Sequence, residues 1–180
     1  MTKSNGWFAV MDSQINVDAR IIAEAASLLE AARERGELLA TAESCTGGLL
    51  AATLTAIAGA SDVFERGFVT YSNTSKSEML GVPAWLIERH GSVSEDVARA
   101  MVGGALTHSR ATLAVAVTGI AGPSGGTAEK PVGLVHIAAA VRDAPVSHER
   151  LLLGDIGRNE IRRESVVQAL ALLDSLLRGE

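Results

Sequence analysis

Aromatic residues are scarce: one tyrosine, two tryptophans and three phenylalanines, 3% of 180 residues. With hydrophobic residues at 47%, a sizeable core is still expected, built from Ala, Leu, Val and Ile. Cysteine is scarcer. Cys45 stands alone, which excludes an internal disulfide and any multi-cysteine metal site and fits a reducing compartment. No run of Lys or Arg occurs, and the net charge of −5 with a pI near 5.4 argues against a general nucleic-acid binder or an anionic membrane surface. The longest apolar stretch, Gly48 to Ala60, is interrupted by Thr53 and Thr55. It falls short of the roughly 20 residues that a membrane span needs. The first residues show no charged-then-apolar leader pattern, so a cytoplasmic location is expected. The four histidines, His90, His108, His136 and His148, share no close spacing; they read as structural or surface residues, and neither a metal nor another cofactor is expected.

What is present alternates between helical and extended patterns. Residues 1–15 lack periodicity and read as an N-terminal extension; residues 16–180 read as one domain. Ile21, Ile22, Ala25, Leu28, Leu29 and Ala32 recur at helical spacing between about Asn16 and Arg35, and Gly36 is a stop signal. Strands are expected at 38–43, 67–72, 113–117, 133–141 and 147–153, the last two joined by a turn at Asp143-Ala144-Pro145. Helices are expected at 46–58, 74–80, from Pro83 to Arg89, after an N-cap at Ser94, and at 159–177. Strands alternating with helices, followed by a hairpin, predict an α/β fold: a three-layer α/β/α sandwich with a mixed, mostly parallel sheet.

The candidate chemistry lies where three strand-like runs give way to polar loops: Ala42-Glu43-Ser44-Cys45-Thr46-Gly47-Gly48, Val69-Thr70-Tyr71-Ser72-Asn73 before Lys76, and Val117-Thr118-Gly119-Ile120-Ala121-Gly122-Pro123. Parallel strands would open all three loops at one sheet edge, where α/β proteins bind ligands. Ser44 is a candidate nucleophile, with a helix N-terminus beside it to receive an oxyanion; a plain N-cap is the commoner use of such a serine. Lys76, in or near a first helical turn, is a candidate base because dipole and burial both disfavour its charge; a solvated lysine is the plainer alternative. Tyr71 is read as a proton relay or as a holder of the lysine amine, against a half-buried core aromatic. Glu43 has two uses, orienting Lys76 or a substrate amide, or capping a backbone donor. Cys45 competes with Ser44 as nucleophile. The loop from Gly119 to Gly126 matches no P-loop or dinucleotide fingerprint, yet its glycines allow close backbone approach to a phosphate or carboxamide. Arg158, Arg162 and Arg163 oppose the dipole at the start of the last helix, where an anionic ligand would offset them; a surface salt-bridge patch is the plainer alternative.

These motifs, together with Phe64-Glu65-Arg66-Gly67-Phe68, Gly91-Ser92-Val93-Ser94, Ser124-Gly125-Gly126 and Lys130-Pro131-Val132-Gly133, resemble the competence/damage-inducible protein CinA, C-terminal domain family, in order and over about residues 16–178. Its stand-alone members look like nicotinamide-nucleotide amidohydrolases. The resemblance implies hydrolysis of nicotinamide mononucleotide (NMN) to nicotinate mononucleotide and ammonia in pyridine-nucleotide salvage. Carried over by motif, Ser44 is the nucleophile, Lys76 its base and Tyr71 a relay partner. Glu43, Cys45, Thr46, Gly47, Gly48, Asn73, Thr118, Gly119, Ala121, Gly122 and Arg158 would surround the substrate. Gly154-Asp155-Ile156-Gly157-Arg158 is two residues longer than the family's Gly-Asp-Arg, so Arg162 and Arg163 compete with Arg158 for that place. A homodimer is implied, and the further N-terminal domain of longer members, with its activity, is expected to be absent. The alternative reading is a catalytically silent nucleotide-binding or regulatory module of the same fold.

Overall fold

The structure, a computed structural model, is described for residues 19–179; the expected N-terminal extension lies outside the described residues. Helix α1 (Ala19–Arg35) buries Ile21, Ala25, Leu28, Leu29 and Ala32 along one stripe. It ends where Gly36 turns to φ 70°. Strand β1 (Leu39–Glu43) is buried throughout. Helix α2 (Leu49–Thr55) and a single 3-10 turn (Ala60–Asp62) lead to β2 (Phe64–Val69). Helices α3 (Asn73–Leu80), α4 (Ala84–His90) and α5 (Glu95–Thr107) follow. Then come β3 (Leu113–Gly119), β4 (Leu134–Val141), β5 (Ser147–Leu152) and α6 (Arg158–Arg178). Ser94 caps α5 as expected, its hydroxyl accepting from the Val97 N–H at 3.4 Å.

The five strands form one sheet in the order β2-β1-β3-β4-β5. The pairings of β1 with β2 and with β3 are parallel; those of β3 with β4 and of β4 with β5 are antiparallel. Only β4 therefore runs against the rest. On one face α1, α2 and α6 cover Leu39, Val115, Val117 and Ile137. On the other, α3, α4 and α5 cover Ala40, Ala42, Ala114, Ala116, Ala138 and Ala140. That alanine surface is how a chain poor in aromatics packs: small side chains let the helices sit close to the sheet.

Two of the element boundaries that differ from the sequence expectation shape the site. The helix expected from residue 46 begins only at Leu49, because Gly47 and Gly48 adopt φ 60° and 93° and hold residues 44–48 in a turn. The strand expected at 67–72 runs from Phe64 to Val69. Thr70 to Ser72 then leave the sheet, after a last bond from the Thr70 N–H to the Glu43 carbonyl at 2.8 Å.

Candidate active site

Strands β2, β1 and β3 release their C-terminal loops at one edge of the sheet. The chain leaves β1 toward β2 on one side, and reaches β3 on the other through α3 to α5. A crevice opens at such a reversal of strand order. Here it is a cavity of about 480 Å³, within the size range of small-molecule sites.

Ser44 follows β1, and its N–H is fixed to the Val117 carbonyl of β3 at 2.9 Å. Lys76 reaches it from α3: Nζ lies 3.0 Å from Ser44 Oγ and donates to the Thr70 carbonyl at 2.8 Å. Residues 44 and 76 are brought together because α3 starts directly beyond β2, with its capping box at Ser72 and Ser75. Lys76 is 1% exposed and has no carboxylate partner among the described residues. Burial holds its pKa below the usual lysine range, opposed only by the neighbouring Cys45 thiol.

Tyr71 does not hold the lysine amine; the Thr70 carbonyl does. The Tyr71 ring is 61% exposed, and its hydroxyl accepts from Arg158 Nη2 at 2.9 Å, while Arg158 Nη1 donates to the Gly122 carbonyl at 2.9 Å. Of the three arginines, only Arg158 lines the cavity. Arg162 donates to the Thr46 carbonyl at 2.8 Å and so braces the Ser44 turn from behind. Arg163 pairs with Glu160 at 2.8 Å.

Glu43 is the largest departure from the expected substrate-binding set. Its carboxylate is fully buried and accepts from the N–H groups of Gly48 at 3.0 Å, Leu50 at 3.0 Å and Ala51 at 2.8 Å. It caps α2, in place of Ser44 or Thr46, and occupies the N–H groups at the start of that helix. The N–H groups left without an oxygen acceptor nearest Ser44, among the described residues, are those of Cys45 and Thr46 in the turn. Cys45 borders the cavity but is buried, and burial, reinforced by the Glu43 charge, pushes its thiol to about 12. That disfavours it as a rival nucleophile.

The cavity thus gathers Ser44, Cys45, Tyr71, Lys76, Gly119, Ala121, Gly122 and Arg158 from the expected set. Thr46, Gly47, Gly48, Asn73 and Thr118 lie outside its lining. Thr118 Oγ1 instead donates to the Ser92 carbonyl at 2.8 Å, tying β3 to the loop between α4 and α5. Residues not proposed from the sequence complete the wall, Ser92, Val93, Thr127 and Lys130 among them. The signal for Lys130 was a solitary cation inside a Gly/Pro-rich loop. Among the described residues no group of three or more potential metal ligands occurs, and no helix is long and apolar enough to cross a membrane.

Residues 22–177 match the CinA C-terminal domain. The chain belongs to that family. CinA-like protein of Anaeromyxobacter sp. (strain Fw109-5) is 53% identical over 144 residues, covering 80% of this chain and 35% of that protein. The putative competence-damage inducible protein of Symbiobacterium thermophilum is 52% identical over 155 residues, covering 81% of this chain and 36% of its own length. The chain therefore spans about a third of the curated relatives it matches. Among solved structures, competence/damage inducible protein CihA from Agrobacterium tumefaciens superposes with a TM-score of 0.87 at 51% identity, covering 88% of this chain and 96% of its own. A CinA superfamily protein from Klebsiella pneumoniae follows with 0.84 at 34%, covering 89% and 99%. In this CinA domain the sheet edge, the Ser44 turn and the glycine loop are one cavity wall.

Proposed function

We propose that this CinA domain is an amidohydrolase that converts NMN to nicotinate mononucleotide and ammonia through Ser44 and Lys76. The observation that carries the reading is the 3.0 Å approach of a buried lysine, without a carboxylate partner among the described residues, to a serine hydroxyl facing a cavity. A serine hydroxyl is a weak nucleophile unless a base takes its proton. Neutral Lys76 can serve as that base. Its N–H donates to the Thr70 carbonyl, which leaves the nitrogen lone pair for the Ser44 proton.

Ser44 Oγ attacks the carboxamide carbon while its proton passes to Lys76. The tetrahedral oxyanion then lies beside the Cys45 and Thr46 N–H groups, each such donor contributing about 3–4 kcal/mol in comparable hydrolases. Collapse breaks the C–N bond, and the Lys76 proton leaves with ammonia. Water, deprotonated by Lys76, cleaves the resulting ester and releases the carboxylate. Tyr71 and Arg158, hydrogen-bonded to each other at the rim, orient the bound substrate rather than relay the Lys76 proton.

Ammonia release from NMN by wild type, Ser44→Ala and Lys76→Ala, with chelator present, tests the proposal. Activity in wild type and a loss of at least about 10³-fold in each variant are expected. Undiminished turnover by Ser44→Ala would move the nucleophile elsewhere. NMN binding without ammonia release by wild type would favour the silent nucleotide-binding module.

A further inference from the structure

Three basic side chains line the cavity, Lys76, Arg158 and Lys130, and no acidic residue does. None of the three has a carboxylate partner among the described residues. Two are already employed: Lys76 holds Ser44, and Arg158 joins Gly122 to Tyr71. Lys130 has no such part in the chemistry, yet its position is held tightly. Its Nζ donates to the His90 carbonyl at 2.5 Å and the Val93 carbonyl at 2.7 Å, across the ends of the loop between α4 and α5. An ammonium group has three N–H donors. Two are accounted for, one remains, and the side chain borders the cavity. Gly91 makes room for it, since a Cβ there would come within 2.8 Å of Nζ.

Its place along the sheet edge matters as much as its charge. Lys76 and Ser44 sit at the β2/β1 end, joined directly at 3.0 Å, with Lys76 also donating to the Thr70 carbonyl. Lys130 lies in the segment that leads into β4 at Leu134, and its Nζ is held by the His90 and Val93 carbonyls, apart from the Ser44–Lys76 pair. From β1 to β4 is two strand spacings, roughly 10 Å. That separation suits a nucleotide whose carboxamide lies at Ser44 and whose phosphate lies at the other end, with the ribose spanning the Gly119–Gly122 floor.

We propose that Lys130 is the anion-recognising residue of this cavity, its free N–H and charge taking the phosphomonoester of the substrate at the end of the pocket opposite Ser44. The inference rests on the nucleotide reading above and specifies which residue confers the preference for a phosphorylated substrate. Holding the ammonium on two carbonyls prepares it in advance, so that little side-chain freedom is lost when the phosphate arrives. Arg158, exposed at the rim and already bonded twice, is left to orient the reacting end.

The test compares ribose 5-phosphate with ribose by calorimetry on wild type, Lys130→Met, Lys130→Gln and Arg158→Met. In parallel, kcat/KM for ammonia release is measured for NMN and for nicotinamide riboside. Wild type is expected to bind ribose 5-phosphate and to discriminate against ribose. Both Lys130 variants are expected to lose about tenfold or more in that affinity, the scale of a hydrogen bond to a charged group. Their NMN-to-riboside ratio should fall by a similar factor. A Lys130 that only braces the loop would lower both substrates together and leave the ratio unmoved, which overturns the proposal. Equal wild-type binding of ribose and ribose 5-phosphate also overturns it, without any variant. So does phosphate binding that survives in Lys130→Met and disappears in Arg158→Met. Ammonia release absent from wild type, with phosphate binding present and dependent on Lys130, would instead count against the amidohydrolase reading and leave the anion site standing.

Discussion

At the residue scale the site depends on Lys76, kept out of water with no carboxylate partner among the described residues. Burial lowers the Lys76 pKa, so the neutral, proton-accepting form is populated at a lower pH than for a solvated lysine. The sign follows: activity should rise with pH through the Lys76 titration. The acid limb of kcat/KM should fall at a pKa below the usual lysine range. A limb at or above that range would remove Lys76 as the base. Cys45, the residue after Ser44, is the opposite case. With its thiol pushed to about 12 and its side chain buried, native protein at pH 8 should be alkylated by iodoacetamide at least about tenfold more slowly than the urea-unfolded chain. Mass spectrometry of timed samples reads the difference. Ser44 and Lys76 were both legible in the sequence, through motif resemblance and through their places at strand ends. The engagement of Tyr71 with Arg158 was not, because 87 residues separate them and no local pattern reports a contact of that span.

At the element scale, two buried groups set how closely the catalytic segments approach. Glu43 receives three N–H donors at the start of α2. Glu43→Gln turns an amide donor toward those donors and should destabilise the domain by about 2–4 kcal/mol, read as a fall in the urea midpoint. Gly104 lets α5 pass α3: a Cβ there would lie 2.0 Å from the Leu80 carbonyl oxygen, a backbone atom with nowhere to move but with its helix. Gly104→Ala should cost about 1–3 kcal/mol or more. Because α3 carries Lys76, the shift should also lengthen the Lys76–Ser44 contact and lower kcat. A thermal melt and a rate measurement on the same sample separate the two effects; an unchanged melting temperature would contradict the packing argument. The helix periodicities of α1, α5 and α6, the Gly36 stop and the Ser94 cap were readable from the local sequence. The late start of α2 was not, since two glycines at positive φ break a run that otherwise reads as helix from residue 46.

At the scale of the whole molecule, pairing of β4 with β5 brings together two histidines that sequence spacing kept apart. His136 Nδ1 and His148 Nε2 lie 3.0 Å apart, and His148 Nδ1 is 3.5 Å from a Glu95 carboxylate oxygen at the start of α5. Burial first, then the charges of His148, Arg150 and Lys130, depress the His136 pKa to about 4. His148 is lowered as well, chiefly by burial. A depressed histidine pKa means the unfolded chain binds protons that the folded one refuses. The stabilisation is therefore full above the ordinary histidine value of about 6.5, and is lost as pH falls toward about 4. His136 alone accounts for on the order of 2–3 kcal/mol over that interval, once solvent screening of the strand edge is allowed for. His136→Gln should flatten the fall in urea midpoint between about pH 7 and pH 4.5; an equally steep fall would place the acid sensitivity elsewhere.

Apolar periodicity, caps and strand-end motifs are local properties of the chain, and they made legible the class of fold, the order of its elements and the three loops that meet at the candidate site. The sequence by itself also determined the core's composition, alanine and branched aliphatics in place of aromatics. The tertiary structure decided what depends on neighbours far along the chain. It assigned Glu43 to α2 rather than to substrate, gave Lys76 a carbonyl instead of a tyrosine, chose Arg158 among three arginines to line the cavity, and brought Lys130 to its wall. Those outcomes follow from strand order and from helices packed across the sheet, and a contact between distant residues leaves no mark in the spacing of either.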